Sequence, residues 1–182
     1  MRTIGIAVLY TAVMAVANAG AADVAGLREG DMRKLNFHAE PVPAGVEVFE
    51  TFEGGEMTLA DYEGKHVVLN FWATWCAPCR KEMPTLSALQ TAMGGEDFEV
   101  VTIATGRNDP VGMQQFFEEI GVDNLPLHRD PQQRLAREMG VLGLPITVII
   151  DPEGMEIARL QGDADWSSES AMAIAAALVA GE

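Results

Sequence analysis

Asn70-Phe71-Trp72-Ala73-Thr74-Trp75-Cys76-Ala77-Pro78-Cys79-Arg80-Lys81-Glu82-Met83-Pro84 carries the only two cysteines of the 182-residue chain. They stand where a continuous apolar run gives way to helix-forming residues. Cysteines three apart at a helix start share one face, with Cβ atoms about 5 to 6 Å apart, so a small rotation closes a disulfide. Such a bridge is a poor staple. Closing a four-residue loop stabilises by about 2 kcal/mol, against about 4.7 kcal/mol for a loop of about 100 residues, and a chain of this length buries an adequate core without crosslinks. Reactivity is the better reason for the pair. Unpaired N–H groups and the positive dipole end favour a thiolate at Cys76, with Arg80 and Lys81 adding positive charge nearby. Cys76 is therefore the expected nucleophile, with a depressed pKa, and Cys79, one turn inward, the expected buried resolving thiol.

Upstream, Val67-Val68-Leu69-Asn70-Phe71-Trp72 reads as a central strand covered on both faces. Downstream, residues 78–93 read as a helix whose Met83, Leu86, Leu89 and Met93 form a core stripe, with a kink expected at Pro84. Residues 98–104 read as a second buried strand, and 111–120 as a helix stopped by Gly121. Residues 125–128 make a short strand and 132–139 a helix, capped by Asp130-Pro131 and ended at Gly140. Residues 146–150 and 155–160 flank Asp151-Pro152-Glu153-Gly154 as an antiparallel hairpin, and 166–179 form a closing helix. Before the cysteine strand, 46–52 and 56–59 pair around Gly54-Gly55 as another hairpin. This order gives an α/β domain over residues 46–182, a mixed central sheet flanked by helices. Residues 20–45, with mixed charge, Pro41 and Pro43, read as a linker or N-terminal arm. Residues 1–19 read as a signal peptide. Arg2 supplies the positive start, an apolar stretch follows, and Ala17-Asn18-Ala19 is a small-residue cleavage site favoured over an uncleaved anchor. No cysteine near it invites lipidation.

The quoted motif resembles the active site of the thioredoxin superfamily, and more narrowly the extracytoplasmic TlpA/ResA/CcmG-like thiol-disulfide oxidoreductases; the similarity runs from about residue 46 to the C-terminus. It implies a thioredoxin-like fold with an N-terminal β-hairpin and a central insertion, the latter matching residues 125–139. Pro145 is by this resemblance the cis proline that lies against the cysteine pair and leaves the backbone of Leu144 free for a substrate strand. Spacing alone reads Glu82, one turn after Cys79, as a solvated helix glutamate. The resemblance makes it the group that exchanges a proton with the resolving thiol, because ResA-like reductases carry a glutamate there. Asn70 departs from thioredoxins proper, which have a buried aspartate in its place, so proton handling falls to Glu82 or water. Trp75 is the expected apolar docking surface for a partner, with a packing role expected for Trp72. Ala77 and Pro78 tune the couple and complete the substrate-binding set with Leu144.

No cofactor is expected beyond the Cys76–Cys79 disulfide, and no metal site. Two cysteines fall short of the four ligands of a structural zinc, and His38, His66 and His128 read as scattered surface or loop residues. The net charge of −15 makes nucleic acid an unsuitable partner. The resemblance implies a periplasmic reductant, either exported free or anchored to the inner membrane. It would act on cysteine pairs of exported clients such as apocytochrome c or copper-site proteins, and be recharged by a membrane thiol donor. A disulfide-introducing oxidant would use the same residues, and a Cu(I) delivery module would use the two soft thiolates. A peroxidase is less attractive, because the region before Cys76 has no matching single-cysteine signature.

Overall fold

A computed structural model describes residues 24–181; the signal peptide expected at residues 1–19 lies outside them. Eight strands form one mixed sheet: β1 (Asn36–Pro43), β2 (Phe49–Glu50), β3 (Glu56–Met57), β4 (His66–Trp72), β5 (Phe98–Thr105), β6 (His128–Asp130), β7 (Ile146–Ile150) and β8 (Met155–Gln161). Their order is β1-β8-β7-β4-β5-β6-β2-β3. The helices are α1 (Ala77–Met93), α2 (Pro110–Ile120), α3 (Arg134–Glu138) and α4 (Glu169–Ala180), with 3-10 turns at Gly30–Lys34 and Leu59–Tyr62.

The centre of the sheet is β4, parallel to β5 on one side and antiparallel to β7 on the other. Alternation along β4 divides the interior into two cores. Val68 and Trp72 join α1, α2 and α4 residues such as Leu86, Phe116 and Ile174. Val67, Leu69 and Phe71 join Tyr62, Leu135 and Val148 on the opposite face. By the same alternation Asn70 faces α1. Its register neighbours are Thr102 on β5 and Thr147 on β7, a row of three fully buried polar residues across the central strands.

The N-terminal hairpin is present but short, with two residues per strand, joined to the sheet through Glu50 opposite Arg129. The stretch expected to be a linker or N-terminal arm is part of the fold from Met32 onward. Met32 and Leu35 are wholly buried, and β1 pairs with β8 as the edge strand. Its prolines are compatible with an edge, where a missing N–H breaks no ladder. The insertion strand lies three residues later than its apolar run suggested. Leu125 is packed as a loop residue, while β6 begins at His128, whose ring is buried and bonded to the Tyr62 hydroxyl at 2.8 Å. Among the three histidines, His128 is thus a core residue. His38 is paired with Glu156 at 2.8 Å. Asp130 caps α3 from a distance, its carboxylate accepting from the N–H groups of Arg134 (2.8 Å) and Ala136 (2.9 Å), so the helix starts two residues later than the Asp-Pro signature suggested. Helix α1 continues past Pro84 to Met93.

Candidate active site

The site forms where β4 ends. Register places Phe71 opposite Ile146, which brings Pro145 to the C-terminal end of β4, where the chain turns into the cysteine loop. Cys76 is the N-cap of α1, and its Sγ accepts from the Cys79 N–H at 3.3 Å. Pro78 stands in the first turn, where its missing N–H has no intrahelical partner to lose. Cys76 and Cys79 are joined as a disulfide, with Cα atoms 5.3 Å apart. Their exposures differ in the sense expected for attacking and resolving sulfurs, 5% for Cys76 and 0% for Cys79. The peptide between Leu144 and Pro145 is cis.

Around the disulfide the surface is apolar and open. Trp75 is 68% exposed and Leu142, in the loop leading to Pro145, is 97% exposed. A shallow cavity of about 220 Å³ lies between residues 142–146 and Gln161–Gly162. Ala77 and Pro78 are exposed and Leu144 is half-buried, so the sequence-derived contact residues share this end of the molecule. Trp72 is buried against Phe116 and Phe117, with ring centroids 4.9 and 5.3 Å away.

Glu82 is 1% exposed. It lies on the inner face of α1 with Cys79, where it was expected from spacing alone to be solvated. Asn70 Nδ2 donates to its Oε1 at 2.6 Å, and the Ala164 N–H donates to Oε2 at 3.0 Å. Asn70 also donates to Thr147 Oγ1 at 2.9 Å, which fixes the orientation of the amide. Burial pushes the Glu82 carboxyl up to about 7, against 4.5 ordinarily, and these donors pull it back only in part. A carboxyl in that range takes up and gives back protons near neutral pH.

The two cations after Cys79 are engaged elsewhere. Arg80 pairs with Glu119 at 2.9 Å and lies over the Phe116 ring, and Lys81 pairs with Asp163 at 2.7 Å. Their support for a Cys76 thiolate is therefore weaker than proximity in sequence suggested, and the helix-start N–H groups carry more of it.

Asn108 escaped the sequence reading. It is 7% exposed. Its Oδ1 accepts from the Thr74 N–H (2.8 Å) and hydroxyl (3.0 Å), and its amide donates to Thr105 O at 3.0 Å. One side chain thus pins the residues before Cys76 to the end of β5. The available signal was its place three residues after a buried strand and directly before the Asp109-Pro110 helix start. Asn108→Ala should lower stability by about 1 to 2 kcal/mol in urea denaturation, because two donors and one acceptor lose their partner. It should also slow reduction of the disulfide by dithiothreitol.

The family model of the AhpC/TSA family matches residues 39–157. The chain is 36% identical over 107 residues to the thiol-disulfide oxidoreductase ResA of Geobacillus thermodenitrificans, covering 59% of this chain and 60% of that protein. It thus spans less than two thirds of that relative. Among solved structures, one described as a DsbE thiol:disulfide interchange protein of Chlorobium tepidum superposes with a TM-score of 0.66 at 26% identity, covering 76% of this chain and 97% of that one. A secreted disulfide oxidoreductase of Mycobacterium tuberculosis, described as homologous to Escherichia coli DsbE, gives a TM-score of 0.62 at 28% identity, covering 72% and 96%. With the cysteine pair at the helix start, a cis proline just before β7 and the family match over most of the sheet, the chain belongs to the AhpC/TSA family, as a TlpA/ResA/CcmG-like member of the thioredoxin superfamily.

Proposed function

We propose that this chain is an exported thiol-disulfide oxidoreductase that reduces cysteine pairs in other exported proteins. The observation that carries the reading is the asymmetric Cys76–Cys79 disulfide at the N-terminus of α1, beside exposed Trp75 and Leu142. In the reduced protein the Cys76 thiolate attacks one sulfur of a client disulfide. A mixed disulfide forms, and the client's other sulfur leaves as a thiolate and takes a proton. Cys79 then gives its proton to Glu82 and attacks Cys76 Sγ. The intramolecular disulfide forms, the second client sulfur leaves, and two electrons have passed to the client. The Cys76–Cys79 disulfide serves as the only redox group, and a membrane thiol donor restores the dithiol. Clients are apocytochrome c or copper-site proteins, and the apolar rim around Cys76 receives the backbone flanking their cysteines. The resemblance to ResA-like reductases supports these assignments, and the similarity to a secreted protein supports export to the periplasm. No helix among the described residues is long and apolar enough to cross a membrane.

The test is the reduction potential of the couple, titrated against a thiol redox buffer with tryptophan fluorescence as the reporter. A value below about −250 mV is expected of a reductant recharged from the membrane. A value near the about −120 mV of strong periplasmic oxidants would reverse the direction and make the protein a disulfide donor.

A further inference from the structure

The N-terminal 3-10 turn reaches Glu82 through one loop. Between β8 and α4, residues 163–165 present a peptide whose Ala164 N–H is a donor to the buried Glu82 carboxylate, at 3.0 Å. That peptide is gripped from two sides. From α1, the Thr85 hydroxyl contacts Ala164 O at 3.3 Å and accepts from the Trp166 N–H at 3.0 Å, while Lys81 Nζ holds the Asp163 carboxylate at 2.7 Å. From the N-terminal turn, Lys34 Nζ donates to Asp163 O at 2.6 Å, and Asp31 Oδ2 accepts from the Asp165 N–H at 3.2 Å. Asp31 and Lys34 also pair with each other at 3.0 Å. The carbonyl before Ala164 and the N–H after it are thus both fastened by the turn, which sets the direction in which the Ala164 N–H points.

We propose that Asp31 and Lys34 are positioning residues for Glu82, holding the 163–165 peptide so that the Ala164 N–H stays on its carboxylate. The functional weight of this rests on Glu82 being the proton acceptor of the reaction. The turn itself is secured independently. Met32 and Leu35 are wholly buried, and Ser170 Oγ bridges the Glu29 N–H (3.0 Å) and Leu27 O (2.8 Å). Changing the two exposed side chains therefore leaves the fold in place. The charged and titratable groups around Glu82 are Lys81 and the cysteine pair from α1, Asp163 and Asp165 from the loop, and Asp31 and Lys34 from the turn. Asn70 and Thr147, from β4 and β7, are neutral.

The experiment is direct titration of the Glu82 side-chain carbon by 13C NMR in the oxidised full chain, where no thiol titrates alongside it. A D31A/K34A double variant removes one charge of each sign, so the net field changes little while both backbone contacts are lost. Its Glu82 midpoint should rise by about 0.5 to 1 pH unit, a partial loss of a hydrogen bond to a charged acceptor. The swapped variant D31K/K34D keeps an ion pair, but its lysine offers the Asp165 N–H no acceptor and its aspartate offers Asp163 O no donor. It should shift like the double alanine variant. A midpoint unmoved in both variants would overturn the proposal. The NMR midpoint is independent of catalysis, so a failed proton-acceptor role for Glu82 would show separately, in the pH–rate profile of Glu82→Gln.

Discussion

Cys76→Ser abolishes thiol–disulfide exchange, while Cys79→Ser keeps the first attack and accumulates a mixed disulfide with the client. The two sulfurs are chemically alike, and their surroundings separate them. Cys76 caps α1, so its sulfur already accepts an N–H bond from the helix start and a thiolate there is stabilised by the same groups. Cys79 is wholly enclosed, which keeps it from a client disulfide and leaves it only Cys76 to attack. Serine cannot serve as the nucleophile near neutral pH, so loss at position 76 is complete within detection. At position 79 only the resolving step is lost, and the adduct should be visible by mass spectrometry and released by dithiothreitol. Equal trapping by both single variants would show that burial does not order the sulfurs, and the assignment of attacking and resolving roles would fall.

The placement of the cysteine pair was legible because two short-range signals coincide, a buried strand that ends and a helix that begins at the pair. Glu82 was harder to read. Cys79, Glu82, Met83, Leu86 and Leu89 all fall on the buried face of α1, so the stripe that identified the helix already contained the glutamate. Its charge argued for solvent until Asn70, across the gap on β4, and the Ala164 N–H supplied donors. Those partners are 12 and 82 residues away, and no local pattern reports them. Distance also explains Arg80 and Lys81, whose proximity to Cys76 in sequence hid their pairing with Glu119 and Asp163. The packing of the segment before residue 45 is hidden in the sequence for a different reason. Its buried residues Met32 and Leu35 are isolated among charges, and β1 has only two half-buried positions out of eight, so neither helical nor alternating periodicity emerges.

Glu82→Gln should flatten two pH profiles at once. The first is stability. In the folded protein the carboxyl titrates at about 7, raised by burial, against 4.5 ordinarily. Between those values the native state holds a proton that the unfolded state has lost, so stability falls as pH rises through that window. Below it both states are protonated and Glu82 contributes no slope; above about 7 both are ionised and the penalty is complete, on the order of 3 kcal/mol. Urea denaturation of the oxidised protein at pH 5 and pH 8 should show this loss in the parent and little of it in the Gln variant. The variant will not be uniformly more stable, because Gln has one acceptor oxygen, and either Asn70 Nδ2 or the Ala164 N–H must face its NH₂ group. The second profile is kinetic. A carboxylate poised near neutrality is a competent acceptor for the Cys79 proton, and its removal should slow resolution of the mixed disulfide by on the order of 10²-fold while erasing the rate step near pH 7. The first attack, made by Cys76 at the helix start, should keep its rate. If the stability profile flattens and the kinetic one does not, Glu82 is a buried carboxyl that the fold tolerates without using, and the Cys79 proton leaves by water.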